Sequence, residues 1–167
     1  MRFALAALVL LAASPAAADP APVPLAPAPE HPAGALIGPA LNVSDIARAL
    51  HFYVDGLGME VGARRGPPER LETILVFRNA GAGNLLLMAD SRPGPHPAIV
   101  QGNGFDRVVM RIADLDATAA RLRAAGFAPG AVHEAMNGRV RVMTATDPDG
   151  YRLELVEIHA MPAGGPR

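Results

Sequence analysis

Cysteine and lysine are both absent from this chain of 167 residues. Without cysteine, the protein cannot form a disulfide bond, carry a lipid on an N-terminal cysteine or use a thiol as a nucleophile. All basic residues are arginines, and they nearly balance the acidic residues, which gives a formal net charge of -1. This balance excludes a strongly basic surface, so we expect no nucleic acid partner and no attraction to an anionic membrane.

Long apolar runs are absent except at the N-terminus. Arg2 precedes an uncharged run from Phe3 to Ala13, and small residues follow as far as Ala18. This order is typical of a secretory signal peptide, so we expect cleavage after Ala18. The less favoured alternative is an uncleaved anchor, because a membrane-spanning helix needs roughly 20 apolar residues. The sequence therefore predicts a soluble periplasmic or secreted protein that has no membrane contact after cleavage.

Proline and alanine dominate the next segment, which cannot bury a core and favours an extended, semi-rigid spacer. We expect a signal peptide over residues 1–18, a Pro/Ala-rich linker over 19–34, one folded domain over 35–159 and a flexible tail over 160–167. Removal of the signal leaves 14 arginines against 16 acidic residues. The length of the folded part suits a single domain with one core.

The folded part repeats one pattern, in which a strand end, an aspartate and a helix follow one another. The two copies are 41–50 and 110–119, and Ser44 is predicted to cap the first helix. Strand-like segments follow each helix, at 59–64, 71–78 and 85–89, and at 128–134, 140–145 and 152–158. The order predicts an α+β fold of two tandem βαβββ modules that form a cupped mixed sheet with helices outside.

The loop at 91–97 joins the two predicted modules and is rich in proline and glycine, which exclude regular structure. Its position suits a hinge, so the modules could pair within one chain or swap between two chains. Both arrangements stay open, and a homodimer is one of them. The concave side of the cup is where we expect a binding site.

The segment from Asp147 to Glu157 is the most distinctive stretch of the sequence. Its Asp-Pro-Asp-Gly start is typical of a tight turn. In the strand that follows, alternation places Leu153 and Leu155 on one face and Glu154 on the other. A carboxylate between leucines indicates that the second face looks into a site or into water.

These motifs resemble the vicinal oxygen chelate superfamily, the group of glyoxalases, bleomycin-resistance proteins and ring-cleaving dioxygenases. The resemblance covers about residues 35–158 and rests on the paired modules, the strand-to-helix step at 43–46, the helix end at 52–59 and the segment 147–157. In the metal-dependent members, the first and last strand of each half supply His, Gln or Glu ligands. The resemblance implies that a divalent metal ion held by these ligands would polarise a substrate with adjacent oxygens.

Transferred to this chain, the four ligand positions fall on Gly38, Leu87, Arg107 and Glu154, of which only Glu154 is a ligand type. A shift of one residue does not help, because it reaches only Pro39, Leu86, Met88 and Val108. Catalytic metal sites normally keep three protein ligands, so we expect no catalytic metal and no other cofactor. Our hypothesis is that Arg107 pairs with Glu154 in place of the ion. The alternative is that both side chains lie at a wet rim without contact.

Histidine offers little support for a metal site. The five histidines are His31, His51, His96, His133 and His159, and no two have the short spacing of a preformed metal pair. Only His133, next to Glu134, remains a candidate for a site role. The sequence also lacks a nucleophile elbow and a glycine-rich phosphate motif that follows a strand.

The arginines indicate a binding site more clearly than the histidines do. Alternation places Arg107, Val109 and Arg111 on one face of the fifth strand. If they face into the cup with leucines and Met143, the cavity is apolar with a cationic edge, which suits a small anionic or amphipathic molecule. The alternative is that strand arginines solvate an outer sheet edge. The candidate ligand-binding residues are Arg107, Glu154, Leu87, Arg111 and Met143.

Two functions follow from these observations. The first is an exported binding protein that holds a small molecule in the cup without a catalytic metal. The second is a glyoxalase-type lyase or a dioxygenase-type oxidoreductase that holds a divalent metal with Glu154 and other ligands, such as His133 or residues of a second chain. Because one fold serves several chemistries, the fold does not choose between them.

Overall fold

The computed structural model describes residues 36–78 and 83–159. The chain divides between Ala35 and Leu36, and the fold belongs to the unit that begins at Leu36. The predicted signal peptide, linker and tail lie outside the described residues, as does most of the predicted turn at 79–83. Within the described ranges, no helix is long and apolar enough to cross a membrane.

Two βαβββ modules follow one another along the chain, so the predicted fold class is confirmed. The first contains β1 (Ala40–Val43), α1 (Ile46–Leu50) with a π-helical continuation (His51–Gly56), β2 (Glu60–Arg65), β3 (Arg70–Val76) and β4 (Leu85–Asp90). The second contains β5 (Val108–Arg111), α2 (Leu115–Ala124), β6 (His133–Ala135), β7 (Val140–Thr146) and β8 (Arg152–Ile158). The strand predicted over 128–134 begins only at His133.

Each module forms its own four-stranded mixed sheet, with strand orders β1-β4-β3-β2 and β5-β8-β7-β6. In both sheets the first strand lies parallel to the last, and the other pairs are antiparallel. The register is the same, because Leu41 lies opposite Leu87 and Met110 lies opposite Leu155. The two modules therefore correspond position by position, with Leu87 matching Leu155.

One face of each sheet carries the core. Its buried members include Leu41, Val43, Leu75, Leu85 and Leu87 in the first module and Met110, Met143, Leu153 and Leu155 in the second. Complete burial of such a side chain stabilises a fold by about 1.5–3 kcal/mol. Alternation along each strand leaves the opposite face to polar or partly exposed residues, which makes it the open face of the sheet.

Both helices begin at an aspartate. Asp45 accepts hydrogen bonds from the backbone amides of Ala47 at 2.8 Å and Arg48 at 3.1 Å, and Asp114 accepts one from Ala117 at 2.9 Å. A carboxylate satisfies the free amides and suits the positive end of the helix. The prediction that Ser44 caps the first helix is therefore wrong. Its amide and hydroxyl donate to Asp149 instead.

The helices of the two modules pack against each other. Next to this contact, the rings of Phe52 and of Phe127, which follows α2, meet edge to face with their centroids 4.9 Å apart. Gly56 permits this approach, since a Cβ there would lie 2.8 Å from Cδ2 of Leu122. Among the strands that the structure describes, none of one module pairs with a strand of the other, so β1 and β5 are both edge strands.

Candidate functional site

Arg107 and Glu154 contact each other on the open face of the second sheet, where Nε of Arg107 lies 2.7 Å from Oε2 of Glu154. The parallel register explains the contact: Val109 lies opposite Glu154, and Arg107 is two residues earlier on the same face. The side chains are 42% and 26% exposed. At that exposure an ion pair stabilises a fold by about 0–1 kcal/mol.

A second carboxylate extends this pair into a chain of alternating charges. Asp106 forms ion pairs with both Arg107 and Arg152. The two carboxylates and the two guanidinium groups of this chain of ion pairs together carry no net charge. Because Arg107 already has two carboxylate partners, its charge is largely compensated, and it is a weaker receptor for an external anion than the sequence indicates.

The corresponding positions of the first module carry no metal-ligating atoms. The shared register matches Gly38 with Arg107 and Leu86 with Glu154. The predicted ligand position at Leu87 is one residue too far along the strand, where the side chain is fully buried in the core. A shift of one residue moves a strand side chain to the other face, so Leu87 cannot contact a molecule on the open face.

Met143 requires the same correction. It lies opposite Leu155 in the β7–β8 ladder and is completely buried on the core face. The expectation that Leu87 and Met143 face into the cup is therefore not met, because both side chains lie on the core face. Arg141 also lies on the core side, where it pairs with Asp116 at 2.8 Å and with Glu157 at 3.2 Å.

The turn that begins at Asp147 joins the two modules. One carboxylate oxygen of Asp147 accepts a hydrogen bond from the Tyr53 hydroxyl at 2.9 Å, and the other accepts from the amides of Asp149 at 2.9 Å and Tyr151 at 2.8 Å. Burial raises the pKa of Asp147 and that of Tyr53. Arg48 adds a bond to the Pro148 carbonyl at 3.2 Å. This motif therefore holds the modules together, a role that sequence reasoning missed.

A cavity of about 1170 Å³ lies between the two modules beside β5. Its wall in the second module is formed by 108–114, Thr118, Arg121 and Ile158, and its wall in the first by 36–39, 57–59, 77, 78 and 83–85. The predicted site residue Arg111 lines this cavity, whereas Arg107 and Glu154 do not. At about 3.3 Å per residue, Arg111 lies about 13 Å along the strand from Arg107.

Comparison with known proteins identifies the family. Residues 31–155 match the sequence model of the Glyoxalase/Bleomycin resistance protein/Dioxygenase superfamily. The chain belongs to this superfamily. It is 27% identical over 128 residues to a protein of Synechocystis sp. named a probable lactoylglutathione lyase, a match that covers 73% of this chain and 94% of the relative.

Solved structures of the superfamily share the fold. TnmS3 from Streptomyces sp. CB03234, described as an antibiotic binding protein, matches with a TM-score of 0.58 and 25% identity over 77% of this chain and 100% of its own. Glyoxalase I from Zea mays matches with a TM-score of 0.59 and 20% identity over 75% of this chain and 45% of its own. The same architecture therefore occurs in a protein named for binding and in one named as an enzyme.

The residues present do not fit the divalent ion of metal-dependent superfamily members. At Gly38, where φ is +150°, a Cβ would lie only 1.7 Å from the backbone oxygen of Asn84. The Asn84 amide also donates to the Ile37 carbonyl at 2.7 Å, which holds the two segments together. Arg107 is a permanent cation and would repel a metal ion. Across residues 36–78 and 83–159, no three His, Asp or Glu side chains are grouped closely enough to hold a metal.

None of the histidines that the structure describes belongs to a group of metal-ligating side chains on the open face. His51 bonds to Asp55 at 2.7 Å through Nδ1 and to the Ala125 carbonyl at 3.1 Å through Nε2. The Asp55 carboxylate raises the pKa of His51, and two acceptors suit the doubly protonated ring. His159 lies 3.2 Å from Glu157, while His96 and His133 are exposed, and His31 is outside the described residues.

Proposed function

We propose that this protein is an exported member of the superfamily that binds a small organic molecule without a catalytic metal. The observation that carries the proposal is which residues occupy the positions where metal-dependent members of the family have ligands. The backbone of Asn84 occupies the space of any side chain at position 38, and Arg107 bonds to the one remaining carboxylate, Glu154. The antibiotic binding protein that shares the fold supports this function as an analogy.

Elemental analysis tests the proposal directly. The protein would be purified from its native compartment without a histidine tag, and zinc, nickel, iron and manganese would be measured against protein concentration. We expect each metal at far below one ion per chain, because fewer than three ligands do not hold a catalytic ion. A stoichiometric metal would contradict the proposal.

The alternative function is a metal-dependent lyase or dioxygenase that uses Glu154. The name of the Synechocystis relative supports it, as does the survival of one family-type ligand in β8. An alternative of this kind needs ligands from residues other than the four family positions. If metal is found, Glu154→Gln separates the two functions, since loss of the metal in that variant would identify Glu154 as a ligand.

Export is supported by the N-terminal sequence alone. The expected mature chain begins at Asp19, after the small residues that end at Ala18. N-terminal sequencing of protein from a fractionated cell tests this expectation. Mature protein in the cytoplasmic fraction with Met1 retained would contradict it.

We also propose that the protein forms a homodimer. Both β1 and β5 leave one row of backbone groups without a strand partner among the described residues. Open edges of this kind readily accept a strand of another chain. A second copy of this chain would supply two such edges. Sedimentation over a range of protein concentrations tests the assembly, and a monomer at all concentrations would contradict it.

A further inference from the structure

Exposed apolar side chains are concentrated at the cavity beside β5. The described residues include seven large apolar side chains that are exposed, and four of them line this cavity. The four are Leu36 at 90%, Ile37 at 61%, Val109 at 59% and Ile158 at 50% exposure. Exposed apolar side chains that are grouped around one cavity in this way mark a site that another molecule covers.

Three arginines reach the same cavity, but two of them already have partners. Arg78 forms an ion pair with Glu60 at 2.6 Å, and Arg121 donates to the Thr118 hydroxyl at 2.7 Å. Arg111 forms no ion pair or side-chain hydrogen bond with any residue that the structure describes. Its guanidinium is therefore available, and it lies on the same strand as Val109, two residues away on the same face.

We propose that this cavity binds a small amphipathic monoanion, a carboxylate or sulfonate on an apolar body. The anionic group pairs with Arg111, and the apolar body lies against Leu36, Ile37, Val109 and Ile158. A guanidinium group binds carboxylate and sulfonate groups through paired, charge-assisted hydrogen bonds. The inference rests on the proposed function, and it names the class of ligand and the residue that selects it.

Two fluorescent probes with the same aromatic body provide the test. 1-Anilinonaphthalene-8-sulfonate carries a sulfonate, and N-phenyl-1-naphthylamine lacks it. Because the chain contains no tryptophan, protein fluorescence does not interfere. We expect saturable binding of the sulfonate probe to the full chain, and we expect octanoate to displace it while octylammonium does not.

The deciding variant is Arg111→Gln, with Arg123→Gln as its matched control. Arg123 is exposed on α2 and does not line the cavity. We expect Arg111→Gln to weaken the sulfonate probe about tenfold, as loss of one charge-assisted contact predicts. The uncharged probe should bind both variants equally, and Val109→Ser should weaken both probes. Thermal unfolding of each variant checks that the fold is retained.

Equal affinity of the sulfonate probe for the two arginine variants would overturn the inference, as would equal displacement by octanoate and octylammonium. Failure of the proposed function has a different signature, because metal content is measured on the same preparation. A metal-containing protein whose sulfonate binding still depends on Arg111 would contradict the proposed function alone. A metal-free protein without that dependence would contradict this inference alone.

Discussion

The two modules have the same backbone path but different chemistry on their open faces. Both begin their helices at an aspartate and pair the first strand with the last in one register. At the two positions where metal-dependent relatives place ligands, however, the first module has Gly38 and Leu86, and the second has Arg107 and Glu154. The first module thus has no polar side chain at these positions, whereas the second has a compensated charge pair.

This difference teaches which constraints act on each face of the sheets. On the core face, Leu87 and Leu155 occupy equivalent positions, and both are fully buried. Packing against a helix permits little variation there, because a change in volume leaves a cavity or a clash. Packing restricts the open face less, so the residues of the two modules differ more there.

Substitutions at adjacent positions of β4 should give the largest effect and show whether the faces are assigned correctly. We expect Leu87→Ala to lower the free energy of unfolding by about 2–5 kcal/mol, because it leaves a cavity in the core. Its counterpart Leu155→Ala should cost a similar amount. Leu86→Ala should cost less, since Leu86 is only partly buried on the open face. Urea unfolding followed by circular dichroism measures all three, and a larger loss for Leu86 would mean that the register is wrong.

The contact between the modules should be the next most sensitive feature. Tyr53→Phe removes the hydroxyl that donates to the buried carboxylate of Asp147. We expect a loss of about 1–3 kcal/mol in the free energy of unfolding, since a buried acceptor loses a partner. Calorimetric unfolding would report the loss as a lower midpoint. An unchanged midpoint would show that this hydrogen bond does not hold the modules together.

The pH dependence of stability tests the burial of Asp147, the acceptor in this contact. Burial raises the pKa of Asp147 above its ordinary value, so the folded protein binds this proton more readily than the unfolded chain. The resulting stability is fully present below about pH 4, the ordinary range of Asp, and is lost as pH rises through the raised pKa. We expect wild-type stability to fall relative to Asp147→Asn over that window. A constant difference between the two proteins would contradict the assignment.

The helix caps offer a finer comparison of the modules. Asp45→Ala and Asp114→Ala each remove a carboxylate that accepts helix amides. We expect each to cost about 1 kcal/mol. Asp114→Ala should cost less, because Glu157 accepts the Leu115 amide at 2.8 Å and supports the start of α2 independently. Urea unfolding measures the pair, and a larger loss at Asp114 would contradict this supporting role of Glu157.

Local patterns account for what could be predicted from the sequence. The order of elements follows from apolar spacing and turn residues over short windows, and alternation places Glu154 and Arg111 on open positions correctly. Leu87 was misplaced because a register error of one residue reverses the face of a strand. The cavity could not be predicted, since it combines Leu36, Asn84 and Arg111 from distant segments. The bond between Tyr53 and Asp147 likewise depends on how the modules pack.

The Arg107–Glu154 pair should have the smallest effect on stability. The size of this effect will show whether the pair is exposed to water or covered. In a double-mutant cycle with Arg107→Ala and Glu154→Ala, we expect a coupling of about 0.2–1 kcal/mol that declines with added salt. The control is Arg141–Glu157, whose side chains are more buried and which should couple more strongly. A coupling at Arg107–Glu154 as large as that of the control would contradict the exposed geometry of the single chain. It would require a water-excluded environment, which a second copy over the open face would supply.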